Sequence, residues 1–173
     1  MNKILKILFC LLFLQSCSQT QKPKSMENQT VKNPYYSRTD KTKLNVSNAE
    51  WKKILPKDLY YVAREADTER PFTGKYNDFD EIGEYYCAVC GNHLFRSSSK
   101  FASTCGWPSF FEADKEGVSY KRDSSHGMER IEVLCKRCDS HLGHVFNDGP
   151  EPTGMRYCMN SVSLDFQRDS EKK

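Results

Sequence analysis

Cys158 sits in Arg156-Tyr157-Cys158-Met159-Asn160, outside any CxxC pair, with a guanidinium and an amide each two residues away. In an extended segment alternate side chains share a face, so Arg156, Cys158 and Asn160 are expected to point together. Val162, Leu164 and Phe166 would continue that face as a buried stripe. A nearby cation favours the thiolate, which is the reactive form. Cys158 is therefore the candidate nucleophile, the alternative being a small buried core cysteine. Cys105 lies in Thr104-Cys105-Gly106-Trp107-Pro108-Ser109-Phe110, where glycine and proline fix a turn and Trp107 offers an apolar wall. It suggests a resolving partner, against the alternative of an inert thiol in a Trp-anchored core turn. His141 and His144 precede Asp148 closely. In a regular strand the two imidazoles would face oppositely, but Gly143 permits a bulge that turns both toward one pocket. There one of them can donate a proton near neutral pH, the alternatives being a structural neighbour of the metal site or a surface histidine.

Four further cysteines come as hooks, Cys87-Ala88-Val89-Cys90 followed by Gly91, and Cys135-Lys136-Arg137-Cys138. Each hook can direct two thiolates at one ion through a tight turn, and four thiolates specify a closed, tetrahedral, structural zinc site. The long gap between them implies a metal that clips two distant hairpins of one domain. Two disulfides are the competing reading if the chain is exported to an oxidising compartment.

The elements that must position these groups follow from composition. The chain has 173 residues and a formal charge of +3, with acids and bases interspersed, so nothing points to a nucleic-acid surface. Lys3 and Lys6 precede the apolar run Ile7 to Leu14, followed by Leu14-Gln15-Ser16-Cys17. This has the form of a secretory signal over residues 1–16, too short to span a membrane permanently. Its last four residues resemble a bacterial lipoprotein cleavage box, which would make Cys17 the lipidated first mature residue and the membrane anchor. Residues 17–43 are polar and poor in apolar side chains, and are expected to form a flexible tether. Two short helices are predicted around Asn48–Leu55, capped by Ser47 or Asn48, and from Pro56 to Arg64. Beyond Thr73 brief β-branched and aromatic segments alternate with glycine and proline turns, including Gly83–Ala88, Gly117–Arg122, Arg130–Leu134 and Tyr157–Phe166. A mainly β domain over 44–168 is expected, built of antiparallel strands with the helices at one end and a disordered tail over 169–173.

These segments resemble the methionine sulfoxide reductase B family. TERPFTGKY, CAVCGNHLF, CGWPSF, SHGMERIEV, CKRCDSHLGHVFNDGP and PTGMRYCMNSVSL all look like that family's motifs in its usual order, across nearly all of Trp51 to Phe166. The resemblance implies two antiparallel β-sheets clipped by a four-cysteine zinc site, and reduction of the R epimer of methionine sulfoxide. It implies Cys158 as catalytic cysteine, Cys105 as resolving cysteine, Trp107 as the wall for the substrate methyl, and His141, His144 and Asn160 as the polar pocket. Arg156 with Asp148 would tune thiolate formation. A thioredoxin-like donor would regenerate the enzyme, which is expected to be a monomer bound to the bacterial cell envelope through its lipid alone. The other reading kept open is a zinc-stabilised β domain that binds oxidised or modified peptides without turnover. Such a reader needs neither Cys158 nor Cys105.

Overall fold

The structure, a computed structural model, describes residues 32–172. Cys17, the expected signal and the tether up to residue 31 lie outside the described residues. Within them, nine strands form two antiparallel sheets. The smaller contains β1 (Gly83–Cys87), β2 (His93–Arg96) and β9 (Leu164–Arg168) in the order β2-β1-β9. The larger contains β3 (Lys100–Phe101), β4 (Ser109–Phe110), β5 (Val118–Asp123), β6 (Arg130–Cys135), β7 (His141–Phe146) and β8 (Arg156–Met159), in the order β3-β4-β8-β7-β6-β5.

Strand alternation separates the larger sheet into a core face and a chemical face. Phe110, Tyr157, Val145 and Ile131 are successive cross-strand partners in one row. The neighbouring row, Ser109, Cys158, His144, Glu132 and Lys121, points the other way. Phe110 joins the sheets, stacking on Phe95 of β2 with centroids 4.4 Å apart and meeting Tyr85 of β1 edge-on at 5.0 Å. All three rings are fully buried, and burial of such rings is the main contribution to a core of this size.

Two helices pack against these sheets. Ser47 caps α1 (Asn48–Ile54) by accepting a bond from the Glu50 N–H, which satisfies a donor that a helix start leaves free. Pro56 lacks the amide needed to continue it, and α2 (Lys57–Glu65) begins just after. Leu59, Tyr60, Val62 and Ala63 form the buried stripe of α2, which packs against β7 and the turn Ser161–Ser163.

Three sequence expectations are corrected. Tyr157–Phe166 is not one strand: β8 ends at Met159, the chain turns at Ser161–Ser163, and β9 joins the other sheet. The break is imposed from a distant part of the chain, because the Ser161 and Val162 amides donate to the Glu69 carboxylate rather than to a neighbouring strand. Asn33–Lys43, expected within the tether, instead lies as a strap along the hooks. Asn33 donates to the Val89 carbonyl, the Ser37 N–H to the Cys90 carbonyl, and the Leu44 N–H to that of Arg137. The expected tail also folds back at its start, where Asp169 pairs with Arg96 and the Asp169 N–H donates to the Ile82 carbonyl.

Candidate active site and metal centre

The two hooks have the same backbone design. In each, the first cysteine's N–H donates to the carbonyl five residues on, Cys87 to Asn92 and Cys135 to Ser140. Its carbonyl in turn accepts from the amide four residues on, Gly91 and Asp139 respectively. That fourth position needs a left-handed backbone, with φ of +78° at Gly91 and +57° at Asp139. Glycine adopts it freely and aspartate tolerates it. At Gly91 a side chain is also excluded by the strap, since a Cβ would lie 2.7 Å from the Ser37 carbonyl oxygen.

The four buried sulfurs lie within 4.8 Å of one another, with Cys87 3.7 Å from Cys138 and Cys90 3.6 Å from Cys135. A tetrahedral ion with bonds of about 2.3 Å requires sulfurs about 3.8 Å apart, whereas disulfides need about 2.05 Å. The cluster fits a metal. Arg137, inside the second hook and 3% exposed, donates to carbonyls of Cys90, Tyr35 and Thr42 and to the Asp40 carboxylate. One guanidinium thus ties both hooks to the strap.

On the chemical face the Cys105 and Cys158 sulfurs are 3.5 Å apart. Pairing of Ser109 with Cys158 brings the Cys105 turn over β8, and the Ser109 hydroxyl lies 3.4 Å from the Cys105 sulfur. Burial pushes the Cys158 thiol up to about 12, the Cys105 charge adding to this and Arg156 opposing it. For Cys105 burial acts the same way, but hydrogen bonds from Ser103, Ser109 and the Trp107 backbone outweigh it and hold the thiol down at about 7. Of the two thiols, Cys105 is the one its neighbours push toward the thiolate, and Cys158 the one pushed away from it, Arg156 notwithstanding. Arg156 is shared, its guanidinium held bidentately by Asp148 at 2.9 Å on each oxygen and lying 4.5 Å over the Phe146 ring.

His141 and His144 do meet on one face, with ring centroids 5.4 Å apart. The reason is a bulge: Gly143 pairs with Val133 but His141 pairs with Leu134, which leaves Leu142 as an extra residue in β7. Each imidazole has its own carboxylate, Glu132 at 2.7 Å from His141 Nδ1 and Asp123 at 2.7 Å from His144 Nε2. Burial lowers the His141 pKa despite Glu132, so its neutral form donates Nδ1–H to Glu132. Its buried Nε2 has no protein partner among the described residues. Bonds from Ser125, then from His144, hold the Asp123 carboxyl well below the usual range. His144 is the direct cross-strand neighbour of Cys158. Gly143 is required beside it, because a Cβ there would overlap the Cys158 carbonyl oxygen.

Trp107 is half-buried, its indole N–H donating 3.1 Å to the Glu69 carbonyl. Asn160 is buried, and both ends of its amide are engaged, Oδ1 accepting from the Glu69 N–H and Nδ2 donating to the Leu142 carbonyl. Its place is behind the pocket, as a brace. Glu69, Glu132, Asp123 and Ser109 were not singled out from sequence. Each acts through a partner, and their only signal was membership of the segments TERPFTGKY, SHGMERIEV and CGWPSF, which contain Glu69, Glu132 and Ser109 respectively. His93 lies on the other sheet, between Glu84 and Asp114.

Two thiols poised to close into a disulfide beside proton-carrying side chains define a class, the thiol-dependent reductases. The SelR domain matches residues 55–168. The chain is 52% identical over 134 residues to a probable methionine-R-sulfoxide reductase B of Caenorhabditis elegans, covering 76% of this chain and 88% of that protein. It is 54% identical to the peptide methionine sulfoxide reductase MsrB of Methanosarcina barkeri, over 73% of this chain and 90% of the relative. With the MsrB of Thiobacillus denitrificans the identity is 55%, over 69% and 92%. The chain belongs to the methionine-R-sulfoxide reductase B family.

Proposed function

We propose that this enzyme reduces methionine-R-sulfoxide in peptides and proteins to methionine. The observation that carries the reading is the 3.5 Å approach of Cys105 and Cys158 on the face that holds His144 and His141. The remaining proton of the pair shifts between sulfurs, freeing the Cys158 thiolate to attack the sulfoxide sulfur. The sulfoxide oxygen takes a proton from the imidazole side, methionine leaves, and the oxygen stays on Cys158 as a sulfenic acid. Cys105 then attacks that sulfur, expelling water and forming the Cys105–Cys158 disulfide. A thioredoxin-like dithiol restores both thiols by exchange and is itself oxidised. Trp107 forms the wall for the substrate methyl. Arg156, held by Asp148, favours the anionic form of the pair. The metal held by Cys87, Cys90, Cys135 and Cys138 is zinc, and its part is to hold the hooks.

A racemic methionine sulfoxide peptide with dithiothreitol tests this. Conversion is expected to stop at half, and complete conversion or none would contradict it. We assign the chain to the bacterial cell envelope, anchored through lipid on Cys17 after removal of residues 1–16, where it repairs oxidised exported proteins. The residue pattern Leu14-Gln15-Ser16-Cys17 supports this. Membrane retention of a Cys17→Ala variant would overturn it.

A further inference from the structure

Phe72 has no role in the reaction as derived, yet it stands at the rim of the site in an unusual state. It is 68% exposed and its φ is +64°, a left-handed conformation that bulky side chains rarely adopt. Strained backbone of this kind clusters at binding sites. The ring is also held in place from below. The Phe72 N–H donates 2.7 Å to the Gly106 carbonyl, and the ring edge packs on Gly106, where a Cβ would come 3.0 Å from Cε2 and 2.8 Å from the Pro71 Cβ. Three residues earlier Glu69 holds Trp107 through its carbonyl and the Ser161–Val162 turn through its carboxylate. Phe72 is therefore a rigidly mounted aromatic surface directly over the residue between Cys105 and Trp107.

Gly106, on which Phe72 packs, adjoins Trp107, so a polypeptide whose sulfoxide sits against Trp107 has Phe72 as a neighbouring exposed apolar surface. We propose that Phe72 is a specificity-determining residue that packs against the polypeptide flanking the methionine sulfoxide. Aromatic rings supply large, rigid contact area at such surfaces. A free amino acid does not extend far enough to use it. The inference rests on the proposed reaction.

The test compares wild type, Phe72→Ala and Phe72→Leu on an end-blocked peptide with apolar residues beside methionine-R-sulfoxide and on free methionine-R-sulfoxide, with dithiothreitol and with a thioredoxin. In Phe72→Ala the ratio of kcat/KM for peptide over free amino acid is expected to shrink on the order of ten-fold, mainly through KM. Phe72→Leu is expected to retain most of that ratio. An equal fall on both substrates would overturn the proposal and make Phe72 a support for the Cys105 turn. A loss confined to thioredoxin would overturn it in favour of a reductant contact, and an unchanged ratio would overturn it outright. Failure of wild type on both substrates would instead overturn the functional reading itself.

Discussion

At Cys105 and Cys158 the surroundings push two half-buried thiols in opposite directions, Cys105 toward the thiolate and Cys158 away from it. Two hydroxyls and a backbone group lie around Cys105, whereas Cys158 is the deeper thiol and meets its neighbour's charge. The Cys105 pKa is depressed, so its thiolate is present above about 7 and is lost as pH falls through that value. Alkylation by iodoacetamide, mapped by mass spectrometry, is expected to label Cys105 with a midpoint near 7, below the about 8.5 of a free cysteine. Preferential labelling of Cys158, or an ordinary midpoint, would contradict the arrangement. The imidazoles show the same dependence on neighbours, since Glu132 and Asp123 fix which nitrogen of each ring is occupied. Such partners are invisible to a reading that looks for reactive side chains one at a time.

At the scale of elements, the bulge in β7 and the turn after β8 bring the site together. Gly143 allows β8 to approach so closely that any side chain would enter the Cys158 carbonyl. Gly143→Ala is expected to cost about 1–3 kcal/mol of stability, as overpacking does, and to lower the chemical rate by displacing Cys158. Thermal denaturation and single-turnover rates check both effects. Much of this level was legible in sequence. The two helices, the strands around the hooks, the four-thiol cluster and the turning of both histidines to one side by Gly143 all follow from local residue chemistry. The long Tyr157–Phe166 strand did not hold, because its interruption is caused by Glu69, ninety-two residues away from Ser161 in sequence. The strap was read as tether for a related reason. Its binding energy comes from hydrogen bonds to hook carbonyls and Arg137, and such contacts leave no apolar periodicity to detect.

Across the whole molecule the metal centre and the thiol pair are joined by the β6–β7 hairpin. Cys135 ends β6, Glu132 lies within it, and Cys138 is followed at once by the strand carrying His141 and His144. Arg64 of α2 adds a bond to the Cys138 carbonyl. Losing the proposed zinc is therefore expected to loosen the frame around the imidazoles as well as the hooks. Wild type is expected to carry one zinc per chain by elemental analysis, and Cys90→Ser to lose that zinc and to lower Tm steeply, since such binding is coupled to folding. Wild-type protein purified without chelators and found free of zinc would contradict this.

The central claim is a division of labour between two thiols, and single-turnover chemistry tests it most directly. Cys158→Ser is expected to release no methionine with any donor, because a hydroxyl is a far poorer nucleophile than a thiolate. Cys105→Ser is expected to release about one methionine per enzyme and to stop with a sulfenic acid on Cys158, trapped by dimedone and located by mass spectrometry. Sustained turnover of Cys105→Ser with a thioredoxin-like donor at the wild-type rate, or methionine release by Cys158→Ser, would contradict the account.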